Sequence, residues 1–70
     1  MPNYKEQDRK KILDFLRSNG GTATVDELLT KSGAEKLRIY PILFEEFHAG
    51  HITFLEEEHY GAPKVVRLIG

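Results

Sequence analysis

Three glycine stops divide this 70-residue chain into short segments. Apolar residues recur with helical spacing ahead of Asn19–Gly21, ahead of Gly33 and ahead of Gly50. Glycine adopts the left-handed conformation that closes a helix without a side-chain penalty, so each position predicts a helix end. The spacing leaves room for three helices of about two to four turns, followed by a segment of another kind.

The helix starts are marked by N-cap residues. Asn3 and Thr24 are each followed three residues later by glutamate, which is the spacing of a capping box. The first predicted helix therefore runs from about Tyr4 to Ser18, and the second begins at Val25. The predicted core-facing residues are Ile12, Leu13, Phe15 and Leu16 in the first helix and Val25, Leu28 and Leu29 in the second.

The third helical pattern, residues 34–49, is the most apolar one, and we expect it at the centre of the core. Its predicted core residues are Leu37, Ile39, Tyr40, Leu43, Phe44 and Phe47. A core this small leaves Ile42 and one of Tyr40 or Phe44 partly exposed. Pro41 is unfavourable inside a helix. The helix is therefore either kinked there or split into residues 35–40 and 41–49, with the proline at a favourable first position.

The last third of the chain changes to β-type residues. His51–Leu55 and Lys64–Ile69 are rich in branched and aromatic side chains, and the intervening residues 56–63 predict a polar loop. The two runs predict an antiparallel hairpin, and residues 22–24 offer at most a short third strand. The fold class is therefore α+β, in a single domain over residues 1–70.

Composition excludes several classes of protein. With 40% apolar residues and a net charge of -1, the chain is predicted to fold rather than remain disordered. It has no cysteine, which excludes disulfides and thiolate metal sites and suits a cytoplasmic location. No apolar run approaches the length of a membrane span. His48, His51 and His59 form no recognisable catalytic or zinc pattern, so we expect no enzyme, metal, cofactor or small-molecule substrate.

The order helix, short strand, helix, turn, helix, strand, loop, strand resembles the winged helix-turn-helix superfamily, in particular its small bacterial-type domains. The resemblance is carried by Thr24–Leu29, Ser32–Ala34 and the junction His48–Ile52, and it spans Ile12–Ile69. It implies that helix 3 enters the DNA major groove and that the hairpin over residues 51–69 is a wing touching the duplex. The implied function is a DNA-binding or transcription-regulator-like module.

The resemblance places candidate DNA contacts at four basic residues. These are Lys36 and Arg38 on helix 3 and Lys64 and Arg67 on the wing. The outward face of helix 3 is expected to present Glu35, Arg38, Pro41, Ile42, Glu45 and His48. Carboxylates and apolar groups on this face depart from the basic pattern of a groove-reading helix, and the chain has no basic stripe to neutralise phosphates.

An interaction module for another protein is the alternative. Exposed apolar groups on helix 3 and an acidic wing tip would suit a protein partner or a homodimer. The candidate residues for this function are Tyr40, Ile42, Phe44, Glu56, Glu57 and Glu58. The sequence leaves the choice between DNA and protein open.

Overall fold

In a computed structural model, which describes residues 3–57 and 63–69, three helices pack against one face of a three-stranded antiparallel sheet. The helices are α1 (Tyr4–Ser18), α2 (Val25–Lys31) and α3 (Lys36–His48), and the strands are β1 (Thr22–Thr24), β2 (Ile52–Glu57) and β3 (Pro63–Leu68). The predicted α+β class and the three-helix order are confirmed. Glu58 and the side chains of Glu56 and Glu57 lie outside the described residues.

The helix boundaries follow from the predicted caps. Oδ1 of Asn3 accepts a hydrogen bond from the Glu6 amide at 3.1 Å. At α2 the capping box is complete, since Oγ1 of Thr24 accepts from the Glu27 amide at 3.1 Å and Oε1 of Glu27 accepts from the Thr24 amide at 3.2 Å. The Glu6 carboxylate does not reciprocate in this way and instead pairs with Arg9 at 3.1 Å.

The predicted glycine stops have the backbone conformation that requires glycine. The φ angles are 76° at Gly20, 82° at Gly33 and 81° at Gly50. A side chain at these positions would be strained even where it met no neighbouring atom. These residues therefore fix where each helix ends and how tightly the next element follows.

The sheet has the order β1-β3-β2, with β3 in the centre. Ala23 and Phe54 flank Val66 on the core side, and the neighbouring register places Thr22 and Thr53 beside Arg67. The short strand at residues 22–24 is thus a full member of the sheet. The predicted loop over 56–63 is wrong at both ends, because β2 extends to Glu57 and pairs there with Pro63. Proline is tolerated at that position because it is the first residue of its strand.

The core draws on all three helices and all three strands. It consists of Ile12, Leu16, Ala23, Val25, Leu28, Ile39, Ile42, Leu43, Ile52 and Val66. Within α3 the buried residues are Ile39, Ile42, Leu43 and Glu46. Their spacing of three and four residues defines one helix face. That face is the one that holds α3 against the rest of the fold.

The predicted rotation of α3 about its axis is only partly right: Ile39 and Leu43 are buried as expected, but other residues are not placed as predicted. Ile42, expected to be exposed, is completely buried, whereas Leu37, expected in the core, is 85% exposed. Tyr40, Phe44 and Phe47 are also partly exposed. The helix carries two apolar faces with the same spacing, and periodicity alone does not tell which one is buried.

Pro41 lies inside one continuous helix, so the split at this position is wrong. The proline removes the hydrogen bond that the carbonyl of Leu37 would accept in a regular helix. Both residues are exposed, so water can donate to that carbonyl. The solvent-facing position is what makes the proline tolerable.

Truncating Ile42 and Leu37 to alanine tests this rotation. We expect Ile42→Ala to lower the free energy of unfolding by about 2–5 kcal/mol, because it leaves a cavity in the core. Leu37→Ala should change it by less than about 0.5 kcal/mol, because its side chain faces solvent. Urea unfolding of the two variants measures the difference, and a larger loss for Leu37→Ala would contradict the observed orientation.

Candidate functional site

The outer side of α3 is an apolar ridge. We call the exposed side chains of Leu37, Tyr40, Pro41, Phe44 and Phe47 the α3 ridge. Each of them lies three or four residues from another member of the set, so they share the exposed side of the helix. Apart from the Tyr40 hydroxyl the ridge offers no hydrogen-bonding side chain. It can therefore make apolar and stacking contacts but few directed polar ones.

Three phenylalanine rings support the C-terminal half of the ridge. The ring of Phe47 stacks on that of Phe54 in β2, with centroids 4.7 Å apart and an angle of 7° between the planes. Phe44 meets Phe54 edge-on at 5.8 Å. Such aromatic pairs add stability beyond the area they bury. They tie the ridge to the strand that leads into the wing.

One flank of the ridge meets the first residues of β3 in the wing. Tyr40, Pro63 and Lys64 line a shallow hollow together with the first residues of α2. Lys64 is itself exposed and follows the buried Pro63 at the start of β3, where the pairing with β2 is irregular. A lysine therefore lies beside an exposed tyrosine on the face formed by α3 and the wing.

The other flank of the ridge is a row of ion pairs between α1 and α3. At its N-terminal end Nη1 of Arg38 donates to Oδ2 of Asp8 at 2.9 Å, and the guanidinium lies 5.7 Å from the centroid of the Tyr4 ring. Nζ of Lys11 lies 4.0 Å from the other carboxylate oxygen of Asp8. The Asp8 side chain is only 6% exposed, so these cations compensate a buried charge.

Towards the C-terminus of α3, this row of ion pairs is centred on Arg9. Its Nη2 donates to Oε1 of Glu45 at 2.7 Å, and its Nε lies 3.2 Å from Oε1 of Glu46. Lys5 also donates to Glu45, and Nδ1 of His51 lies 2.5 Å from Oε2 of Glu46. The Glu46 side chain is 5% exposed and is held by Arg9 from α1 and by His51, the residue before β2.

We use the name ionic seam for eight side chains: Lys5, Glu6, Asp8, Arg9, Lys11, Arg38, Glu45 and Glu46. Among the described residues it thus contains four cations and four carboxylates, so their formal charges cancel. The hydrogen bond from Lys5 lowers the pKa of Glu45, and the nearby charges of Lys5 and Arg9 act in the same direction. These ion pairs hold α3 against α1. Because their formal charges cancel, that flank carries little net charge.

The four predicted DNA contacts do not share one surface. Lys36 begins α3, and Lys64 lies beside Tyr40. Arg38, expected to point outward, instead pairs with Asp8 on α1. Arg67 faces the side of the sheet away from the core, because its neighbour Val66 is fully buried. The structure thus brings Lys64 to the α3 face and leaves Arg67 on the opposite side of the sheet.

For the alternative function, the structure exposes Tyr40 and Phe44 but buries Ile42. Leu37 and Phe47, which were expected in the core, belong to the exposed surface instead. The pattern of opposite charges on α1 and α3 is the sequence signal that could have revealed this orientation of α3. Arg38 and Glu46 lie on α3 with their opposite charges Asp8 and Arg9 on α1, and pairing them rotates α3 to the observed position.

Other site types find no support in the part of the chain that the structure describes. Its histidine, aspartate and glutamate side chains form no group that could hold a metal ion. Its helices include none with the length and apolar character needed to cross a bilayer.

Comparison with known proteins adds a structural neighbour. No protein-family model matches the sequence, and no curated protein does. Among solved structures, the Zalpha domain of Carassius auratus PKZ, determined in complex with Z-DNA, is similar to this chain with a TM-score of 0.75. The similarity covers 96% of this chain and 100% of that domain, at 24% sequence identity. The chain has a winged-helix fold. At this identity the likeness concerns the fold, in which α3 and the β2–β3 wing share one face.

The seam predicts a specific acid dependence of stability. The pKa of Glu45 lies below its ordinary value of 4.5 in the folded state, so its stabilising contribution is present above pH 4.5 and is lost as pH falls through the lowered value. Glu45→Gln removes this contribution. We expect the difference in unfolding free energy between the two proteins to shrink as pH falls below 4.5. Urea unfolding across that range measures it, and a difference independent of pH would contradict the assigned pairing.

Proposed function

We propose that this chain is a winged-helix module that binds double-stranded DNA through the α3 ridge and the first residues of β3. The observation that carries the proposal is the joint exposure of the ridge and of Lys64 on one face. The fold likeness to a domain solved with Z-DNA supports the choice of ligand. Lys36 at the start of α3 and Lys64 at the wing are the proposed phosphate contacts.

The chemistry of the ridge indicates which features of a duplex the module would recognise. Base-edge readout uses side chains such as Arg, Asn and Gln that make paired hydrogen bonds. The ridge instead presents Leu37, Pro41 and Phe44, which can make van der Waals contacts. We therefore propose that the module recognises the shape of a duplex more than its base sequence. Right-handed and left-handed duplexes differ most in shape, so they are the ligands to compare.

Protein binding is the second candidate function, and a specific observation favours it. Four large apolar side chains of the ridge are exposed on one helix, namely Leu37, Tyr40, Phe44 and Phe47. Exposed apolar patches of this kind also mark protein interfaces, including those of homodimers. The acidic residues 56–58 would add charge complementarity to a basic partner.

Several narrower attributes belong to the proposal. The likeness to bacterial-type regulators rests on the junction His48–Ile52, and a role in transcription rests on that likeness. We also propose that the module is cytoplasmic and acts without catalysis. The structural neighbour is a DNA-binding domain, which agrees with a binding role.

Fluorescence anisotropy with two labelled duplexes tests the proposal. One is a mixed-sequence right-handed duplex, and the other is an alternating cytosine–guanine duplex held in the left-handed form by 8-bromoguanine. We expect the affinities for the two duplexes to differ, because the duplexes differ in shape. We also expect the affinity to depend only weakly on salt concentration. With two phosphate contacts the logarithmic salt slope should be about -2.

Variants of the two surfaces locate the site. Tyr40→Ala should weaken binding by about 1–3 kcal/mol, because it removes the apolar area that the ring buries against the duplex. Lys64→Ala should weaken binding and reduce the salt slope by about 1. Arg67→Ala is the matched control in the same strand, and it should have no effect because Arg67 lies on the opposite face. Equal effects of Lys64→Ala and Arg67→Ala, or no binding to either duplex, would contradict the proposal.

A further inference from the structure

Glu45 occupies a position that its role in the fold does not fully explain. It lies four residues after Pro41 and three before His48, so it borders the α3 ridge on the side of α1. Its carboxylate accepts hydrogen bonds from Lys5 and from Arg9, the latter at 2.7 Å. Two of the four cations on this flank are therefore bonded to one half-exposed carboxylate.

Ion pairing determines what these cations can do for a nucleic acid. Attraction to a duplex comes mainly from cations that replace the counterions condensed on its phosphates. A lysine already bonded to a carboxylate adds little to this attraction, and its carboxylate repels the phosphate. Lys5 and Arg9 would otherwise flank the ridge where a duplex lies in the proposed complex.

We infer that Glu45 is a specificity-determining residue that withholds Lys5 from phosphate and so limits shape-independent binding to nucleic acid. The inference rests on the proposed function, because it assigns a regulator to the proposed DNA face. In this arrangement the ridge dominates recognition, and the phosphate backbone of an arbitrary duplex attracts the module weakly. Asp8 acts in the same way on Arg38 at the other end of the seam.

The two cations are not held equally. Arg9 retains Glu6 at 3.1 Å and Glu46 at 3.2 Å when Glu45 is neutralised. Lys5 has no other ion-pair partner among the described residues. Neutralising Glu45 should therefore release Lys5 and add about one phosphate contact, with Arg9 staying in the seam.

The test is the salt dependence of binding to a mixed-sequence right-handed duplex by Glu45→Gln. We expect the logarithmic salt slope to become steeper by about 1 relative to the unmodified protein, with tighter binding at low salt. Asp14→Asn is the matched control, since it removes the same charge from an exposed ion pair, Asp14–Arg17, that lies within α1. It should leave the slope unchanged.

A double variant identifies the released cation. Lys5→Ala combined with Glu45→Gln should return the slope to that of the unmodified protein. Thermal unfolding of each variant establishes that the domain is folded at the assay temperature. An unchanged slope in Glu45→Gln, or an equal gain in Asp14→Asn, would overturn the inference.

The two proposals fail in different ways. If the unmodified protein binds neither duplex and Tyr40→Ala changes nothing, the proposed function fails. Even then, a gain in affinity at low salt that is seen only in Glu45→Gln would still support the masking of Lys5. If ridge variants reduce binding while Glu45→Gln changes neither affinity nor slope, the proposed function stands and the inference about Glu45 fails.

Discussion

The rest of the structure depends on how α3 is rotated about its own axis. Ile39, Ile42 and Leu43 pack into the core, and the ionic seam with α1 holds that orientation at both ends of the helix. Hydrophobic burial supplies most of the stability, but it is non-directional and both apolar faces of α3 could provide it. The buried carboxylates of Asp8 and Glu46 are directional, because each is costly to bury without its cationic partner from the other helix.

This orientation gives α3 its functional surface. Aliphatic residues of α3 pack into the core, and its aromatic residues lie on the outside. There the rings of Phe44 and Phe47 contact the ring of Phe54. The seam pairs Arg38 of α3 and three cations of α1 with carboxylates, so the exposed face of α3 is mainly apolar. The same ion pairs therefore act both in packing and in recognition. This is why the charge of the whole chain is a poor guide to the face that would meet a duplex.

Local features of the fold could be predicted from the sequence because they are set by neighbouring residues. The caps at Asn3 and Thr24 and the stop at Gly50 required no knowledge of the rest of the chain. The rotation of α3 could not be derived in this way, because it depends on pairs such as Asp8–Arg38 that are distant in sequence.

Solvent accessibility of individual methyl groups tests the central claim most directly. A soluble paramagnetic agent added to protein with labelled isoleucine and leucine methyls broadens the signals of those that reach solvent. The account predicts strong broadening for Leu37 and none for Ile42 or Leu43, because only the first lies on the ridge. Strong broadening of Ile42 with protection of Leu37 would mean that α3 is turned the other way, and the ridge and the seam would then both be wrong.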